Sequence, residues 1–356
     1  MHRRQPSHRR TRLGSAAALA VILAFIGLVT GRAAGVFGTD LVEETTATVT
    51  LADSYAQVEE PSPAPAMKVE PAQRIKAVKE RRTGPGAGGG DLKRKVEELL
   101  ADQPPPPATF RISTFNVLGH SHTTPGGNKK GFAPGTTRIG WAADLLRAQD
   151  IDVVGLQEFE APQFNAFVQR TGDLFGGYPG LSMGTNVVRN SIVWRNDRWS
   201  LVKGDTIPIP YFRGNRVPMP YVLLQHRETG RQMYVINIHN PTSNPRRGNN
   251  ARWRALGTQL EIGLVRELRA TGVPVVLMGD FNERDKAFCT VTQQGQMNAA
   301  NGGSAGPPCR TPPNMGIDWI FGTQDIGFAD YVRLSQGVIG RVSDHPMIIS
   351  RATLAN

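Results

Sequence analysis

Cysteine is scarce in this 356-residue chain: Cys289 and Cys309 are the only two. At most one disulfide can form, so the fold cannot be a disulfide-dense scaffold. No internal repeat is visible, which argues against a solenoid or propeller. Long uncharged apolar runs are limited to Leu13–Val29. Residues 40–107 lack any sustained apolar period and cannot build a core of their own. Negative charge is also short, with 30 Asp and Glu against 41 Lys and Arg, a formal net charge of +11.

That charge is unevenly placed. Residues 1–40 hold six Arg and one Asp, whereas residues 108–356 hold 26 Lys/Arg and 18 Asp/Glu. A basic domain favours polyanionic partners such as nucleic acid, acidic lipid surfaces or phosphorylated sugars, although net charge alone fits a merely soluble surface equally well. Five arginines, Arg3 to Arg12, precede the apolar run. The run suits either a membrane anchor or a signal-peptide core, with Gly31, Ala33 and Ala34 as a cleavage region. Both readings send the rest of the chain outward. The expected locations are therefore secretion, or the cell membrane with a single N-terminal span. Export in turn favours a Cys289–Cys309 disulfide closing a Gly/Pro/Asn-rich loop.

Three regions follow: a basic N-terminus with its apolar signal or anchor (1–39), a Pro/Gly-rich charged stalk (40–107) and a globular domain (108–356). The stalk carries five glycines between Gly84 and Gly90, the tetraproline Pro104–Pro107, and one expected helix at Asp91–Ala101. From Thr109 the texture changes. Strands are expected at Phe110–Asn116, Ile151–Gln157, Ser191–Arg195 and Trp199–Val202, and a hairpin at Tyr221–Arg227 and Gln232–His239. Further strands are expected at Val275–Met278, with Ile317–Phe321 and Met347–Ser350 as the last two. Helices are expected at Trp141–Ala148 and Asn250–Ala270, the second stopped by Gly272 and Pro274. This mixture argues for packed mixed sheets flanked by helices.

Polar residues stand at the strand ends: Asn116, Glu158, His239, Asp280 with Asn282, Asp318, and Asp344-His345. Each alone is explained by turn chemistry or a satisfied core histidine. In an extended chain Asp280 and Asn282 would share one side. As a set, these residues match the needs of phosphodiester hydrolysis. A hard cation wants oxygen ligands, which Glu158 and Asn116 supply. The attacking water needs a base near neutral pH, which a histidine held by a carboxylate, His345 with Asp318, provides. His239 and Asn282 offer donors to the developing charge, and Asp280 orients the water or shares its deprotonation.

The strings Ser-Thr-Phe-Asn116, Val-Gly-Leu-Gln-Glu158, Val-Ile-Asn-Ile-His239, Met-Gly-Asp280-Phe-Asn282, Ile-Asp318-Trp-Ile and Ser-Asp344-His345-Pro carry a resemblance. In kind and order they are similar to the endonuclease/exonuclease/phosphatase superfamily, which includes deoxyribonucleases, abasic-site endonucleases, sphingomyelinases and inositol polyphosphate 5-phosphatases. The resemblance implies an α/β four-layer sandwich of two mixed β-sheets flanked by helices, deoxyribonuclease-like, with the site at one edge. It implies a metal held by Glu158, with Asn116 and Asp344 close by, and Mg2+ (or Mn2+ or Ca2+) as the ion. It implies catalytic roles for His239, Asp280, Asn282, Asp318 and His345. His239 matches a histidine of the deoxyribonucleases and sphingomyelinases that the abasic-site enzymes lack. Some members carry an acid two positions after the first Asn; here Leu118 stands there, which argues against a second metal. Arg189-Asn-Ser-Ile-Val resembles the central strand, which implies Asn190 near phosphate. The expected activity is hydrolysis of a polyanionic phosphodiester, with nucleic acid as partner. The alternative is a phospholipid or inositol-phosphate hydrolase of the same fold, and a catalytically dead binding scaffold is a third reading.

Overall fold

The computed structural model describes residues 105–355 together with Arg94. The apolar N-terminal segment and the stalk through residue 104, including all of the expected Asp91–Ala101 helix except Arg94, lie outside the described residues. Among the described residues, no helix is long and apolar enough to cross a membrane.

Twelve strands form two sheets of six. The first has the order β11 (Ile326–Leu334), β12 (Met347–Leu354), β1 (Ala108–Asn116), β2 (Val153–Gln157), β4 (Ser191–Arg195), β3 (Phe175–Tyr178). The second runs β5 (Trp199–Pro210), β6 (Arg216–His226), β7 (Gln232–His239), β8 (Val275–Asp280), β10 (Asp318–Thr323), β9 (Met297–Ala299). Each sheet has one parallel pair at its centre, β1 with β2 and β7 with β8. Every residue of β2, β8 and β10 is buried, as expected of strands covered on both faces.

Three apolar clusters define four layers. One fills the space between the sheets around Ile112, Val153, Trp199, Val235 and Met278. A second lies between the first sheet and helices α1 (Gly135–Ala148) and α2 (Ala161–Thr171), and a third between the second sheet and helices α3 (Ala251–Arg269) and α4 (Asp285–Gln294). Helix α2 starts on a capping box in which Glu160 and Gln163 satisfy each other's backbone amides, with Pro162 in its first turn. On α3 the buried positions Arg254, Gly257, Thr258, Glu261, Ile262, Val265 and Leu268 recur at three- and four-residue spacing. Arg231, at the β6–β7 turn, binds the carbonyls of Pro105, Pro106 and Ala355, clamping the start and end of the domain together.

Several expectations are corrected. Strands β5 and β6 run far beyond Trp199–Val202 and Tyr221–Arg227, because Pro208 pairs opposite Pro218 and Thr206 opposite Pro220 in a proline-rich ladder. A strand, β11, and a short helix, α5 (Ile339–Val342), stand between the two runs expected to be last. Cys289 and Cys309 are bonded, with Cα atoms 5.8 Å apart. The enclosed segment is not simply a loop, since Cys289 lies on α4 and β9 falls inside the closure.

One buried acid lies outside the set of strand-end residues. Glu261 on α3 is fully buried, and neither carboxyl oxygen has a hydrogen-bond donor among the described residues, although the Asn240 carboxamide lies close against it. Burial pushes its pKa up to about 8, with Asn240 acting weakly the other way. Between the unfolded value and about 8 the folded state holds a proton that the unfolded chain has released, so this group's contribution to stability falls as pH rises through that window. Glu261→Gln should therefore unfold at a higher denaturant concentration than the parent, and its advantage should grow by roughly 3 kcal/mol from about pH 5 to about pH 8. Urea titrations at the two pH values check this; parallel behaviour of the two proteins would show that Glu261 is already ionised in the fold.

Candidate active site

Sheet geometry gathers the polar strand ends. Asn116 closes β1 and Glu158 follows β2; these strands are parallel, with Asn116 opposite Gln157. His239 and Asp280 end the other parallel pair directly opposite each other, and Asp318 opens β10 opposite Asp280. The carboxyl ends of both central pairs thus meet at one edge of the sandwich. Gly279 is required just before Asp280. Its φ is +144°, and a Cβ there would lie 2.0 Å from the Ile238 carbonyl oxygen on the neighbouring strand.

Asp280 is the hub. It is almost fully buried, and its Oδ2 accepts from Asn116 Nδ2 at 3.2 Å while Oδ1 accepts from the Asn282 backbone N–H at 2.9 Å. The Nε2 atoms of His239 and His345 lie 3.5 and 3.7 Å from Oδ2. His345 Nδ1 faces both oxygens of Asp318, at 3.0 and 3.2 Å. Burial alone would lower the His345 pKa, but the Asp318 hydrogen bond and the fields of Asp280, Asp318 and Asp344 raise it well above the ordinary imidazole value. The ring holds its proton at neutral pH.

Glu158 is the second carboxylate. Its Oε1 accepts from Asn116 Nδ2 at 3.2 Å, and its Oε2 accepts from the Gly119 N–H at 2.9 Å and meets His122 Nε2 at 3.2 Å. Burial works against the charged form. The His122 hydrogen bond, the nearby His239 and the Gly119 amide more than offset it, and hold the carboxyl well below its usual range. The Asn116 amide thus bridges Glu158 and Asp280, a position where two converging carboxylates call for positive charge. Glu158 fits a hard divalent cation; Asn116, expected as its neighbour ligand, turns its Nδ2 to the carboxylates while its Oδ1 accepts the Leu118 N–H at 3.0 Å, so it braces Glu158 rather than presenting an oxygen. Asp280, Asp318 and His345 also offer ligand atoms within 4.8 Å of one another. The spacing of His345 Nδ1 from Asp318 is that of a hydrogen bond, so this trio reads better as a proton relay.

Other expected residues sit differently. Asn282 does not share an extended strand with Asp280. The strand ends at Asp280, Asn282 has φ +49°, and its amide donates to the Asn240 carbonyl at 2.9 Å. Asp344 makes no hydrogen bond to the central cluster; its Oδ2 is taken by Lys129 Nζ at 2.5 Å. Asn190 is buried just before β4, with its side-chain oxygen lacking a donor among the described residues.

The sequence reading missed the supporting frame. Arg138 on α1 is fully buried and donates to the carbonyls of Ala133, Val117, Gly119 and Val342. Burial lowers its pKa to about 10, while Asp344, Glu158 and Glu160 counter that shift. The loop after β1 is fastened to β2 and α2: His120 N–H donates to Gln163, and the Ser121 N–H and hydroxyl both donate to Glu160. Ser343 donates to the Asn116 carbonyl at 2.6 Å and accepts the His345 N–H at 3.1 Å. Between the sheets, Asn237 on β7 donates to the Leu156 and Ser191 carbonyls and accepts from Gln157. Asn237 itself stands inside a quoted motif, but nothing local marks its partners.

An aromatic wall adjoins His239. The Tyr211 ring stands edge-on to it, with centroids 5.7 Å apart, and packs on Phe212 at 4.4 Å. The Arg247 guanidinium lies over Phe212 at 4.7 Å. Burial raises the Tyr211 pKa, and the Glu158 and Asp280 carboxylates add to the shift, which places the phenol beside the acidic centre.

Comparisons with known proteins agree with this architecture. The fold resembles an endonuclease/exonuclease/phosphatase family protein from Bacteroides thetaiotaomicron, with TM-score 0.53, 15% identity, and 70% of this chain and 99% of that chain covered. It resembles the human Nocturnin catalytic domain with bound sulfate anion equally well, with TM-score 0.53, 15% identity and the same coverage. D. rerio TDP2 complexed with single strand DNA product gives TM-score 0.50 and 16% identity over 69% of this chain and 99% of that one. No curated protein sequence matches. The sequence does match the Endonuclease/Exonuclease/phosphatase family model across residues 113–345, well over half of the chain, and the chain belongs to that family.

Proposed function

We propose that this phosphoesterase is an exported or membrane-anchored, divalent-metal-dependent phosphodiesterase acting on nucleic acid. The observation that carries the reading is the convergence of Asn116, Glu158, His239, Asp280, Asp318 and His345 on one edge shared by both sheets. Export is supported by the arginine-led apolar segment and by the Cys289–Cys309 bond, a linkage that persists in oxidising compartments. Nucleic acid is supported by the Tyr211–Phe212–Arg247 wall. It offers ring and guanidinium planes for a base, and positive charge for its phosphate, next to His239. The solved TDP2 structure with single strand DNA product gives the same fold a nucleic-acid precedent.

Glu158 would hold the cation, with Asn116 bracing it and Mg2+ as the first expectation. A cation bound there supplies Lewis-acid stabilisation of charge on the phosphoryl oxygens. The chain's own groups do the rest. His345 is expected from the sequence as the base, but the surrounding carboxylates keep it protonated; fixed through Nδ1 by Asp318, it instead donates from Nε2 to the phosphate as negative charge develops. Asp280 is then the acceptor for the proton of an attacking water, held in place by the Asn116 and Asn282 amides. His239, braced by Tyr211, is a second donor facing the same oxygen of Asp280. Asp344 tempers this field through its pairing with Lys129 rather than holding a ligand of its own.

Substrate class is tested with the full chain and Mg2+ against DNA, RNA, phospholipid and inositol-phosphate substrates. Turnover of nucleic acid supports the reading, and turnover confined to lipid or sugar phosphates replaces it. Chelation with EDTA should abolish activity and added Mg2+ restore it.

His345→Ala should lower kcat by about 10²–10⁴-fold with an unchanged circular-dichroism melt. Near-parental kcat would remove His345 from the chemistry.

His122→Ala removes the largest contributor to the depressed Glu158 pKa. Glu158 then takes up its proton at higher pH, so the acidic limb of the kcat/KM profile should move to higher pH, leaving the alkaline limb in place. A limb that does not move would show that Glu158 ionisation does not govern activity.

A further inference from the structure

A second cationic and aromatic feature lies between the loop after β1, α1 and the short helix α5. A cleft of about 460 Å3 opens between the Lys130–Ala133 loop, Trp141 of α1, and Gly340-Arg341 of α5. No acidic residue lines it. The Arg341 guanidinium lies over the Trp141 ring at 4.4 Å, and neither Arg341 nor Lys130 makes an ion pair among the described residues. Nearby cations are committed: Lys129 to Asp344, and Arg138 to four backbone carbonyls. The cleft therefore keeps two positive charges outside ion pairs, Lys130 and the guanidinium of Arg341 stacked on Trp141.

Its placement ties it to the chemistry. Lys130 follows the lysine that holds Asp344. Arg341 precedes Val342, whose carbonyl is gripped by Arg138, and Ser343, which joins the Asn116 carbonyl to the His345 amide. The short helix carrying Arg341 is thus locked to the catalytic edge on the His345 side, opposite in sequence and in partner to the Tyr211–Phe212–Arg247 wall on the His239 side.

We propose that this cleft is a nucleotide subsite that holds one phosphate and base of a single-stranded substrate, a step along the strand from the bond that is cut. The volume falls in the range of small-ligand sites. Lys130 and Arg341 match a phosphate, and the recessed rings of Phe132 and Trp141 with the Arg341 plane match a base. A lipid surface is the less suitable occupant, since Phe132 and Trp141 are half-buried rather than displayed at a tip. The proposal rests on the nucleic-acid reading above, and the test separates the two.

The experiment uses the full chain with Arg341→Gln, Lys130→Gln and Arg341→Lys, all at exposed positions outside the catalytic cluster. Steady-state kinetics are measured on a single-stranded DNA 12-mer and on bis(p-nitrophenyl) phosphate, which has no neighbouring nucleotide. Anisotropy of a fluorescein-labelled 12-mer, in the His345→Ala background, gives affinity without turnover. Each Gln variant should raise the 12-mer KM about tenfold, weaken binding equally, and reduce the salt slope of log Kd by about one, leaving bis(p-nitrophenyl) phosphate turnover unchanged. Arg341→Lys should restore the salt slope but not the full affinity, because the stacking plane is lost. Equal losses on both substrates, or unaltered 12-mer binding, would overturn the subsite with the nuclease reading intact. A parental enzyme that turns over bis(p-nitrophenyl) phosphate yet neither binds nor cuts the 12-mer sinks the nuclease reading itself. Weakened sedimentation with phosphatidylserine vesicles in the Gln variants, with 12-mer affinity unaltered, would reassign the cleft to a membrane surface.

Discussion

The carboxylate of Asp280 is a charge buried between two sheets, and a buried charge persists only where donors converge on it. Its donors are Asn116 from the first sheet and Asn282 from its own turn, and the imidazoles of His239 and His345, from β7 and from the segment before β12, stand 3.5 and 3.7 Å from its Oδ2. Docking the two sheets and assembling the site are therefore one event. Asn237 reinforces the same seam one turn of the ladder deeper, bonding β7 to β2 and β4. Gly155 lets it approach so closely, since a Cβ there would stand 2.6 Å from the Asn237 carboxamide oxygen.

Arg138 is the cationic counterpart. It has no carboxylate in direct contact, and its donors instead fasten the loop after β1 to the segment leading into His345. The fields of Asp344, Glu158 and Glu160 compensate its charge at longer range. A long, planar donor that is always charged serves both ends of this frame, where lysine would offer a point charge without the fork. Leu118, Glu158 and Asn282 all adopt left-handed backbone at these loops, at a cost of order 1 kcal/mol each. Glu158 and Asn282 turn out of their strands in this way, which aims their side chains across the edge rather than along the pleat.

Much of this edge was legible. Apolar runs ending in Asn116, Glu158, His239 and Asp280 mark central strands, because buried parallel strands leave only their ends for polar residues. The runs point to mixed sheets flanked by helices, and the four-layer α/β sandwich is what the resemblance carried by their terminal strings implies. The two Cys are bonded as export suggested. Other parts were hidden for identifiable reasons. Strand β11 is mostly exposed and interrupted by a register shift between Ala329 and Val332, so it carries no clean alternation. Strand β3 is half glycine. Prolines in β5 and β6 disguise a long hairpin, and α4 hides behind the cysteine read as a loop. Asn282 defeats the two-residue alternation because the strand has already ended. The roles of Arg138, His122 and Ser343 reside in partners up to some 200 residues away, which local pattern cannot report.

The arrangement of charge then explains how a basic domain can carry an acidic heart. Glu158, Asp280 and Asp318 are held at the edge by amides and imidazoles rather than by arginine or lysine. The arginines and lysines nearest to them are either sunk into backbone carbonyls, as Arg138 is, or set over rings, as Arg247 and Arg341 are. Ion-pairing those cations to the central carboxylates would quench both. Spending them on Phe212 and Trp141 instead keeps positive charge free on two sides of a negative centre. A phosphodiester chain needs that pattern: attraction along its flanks, and at the scissile bond a cluster of carboxylates that gains charge balance only when a cation and a phosphate arrive together.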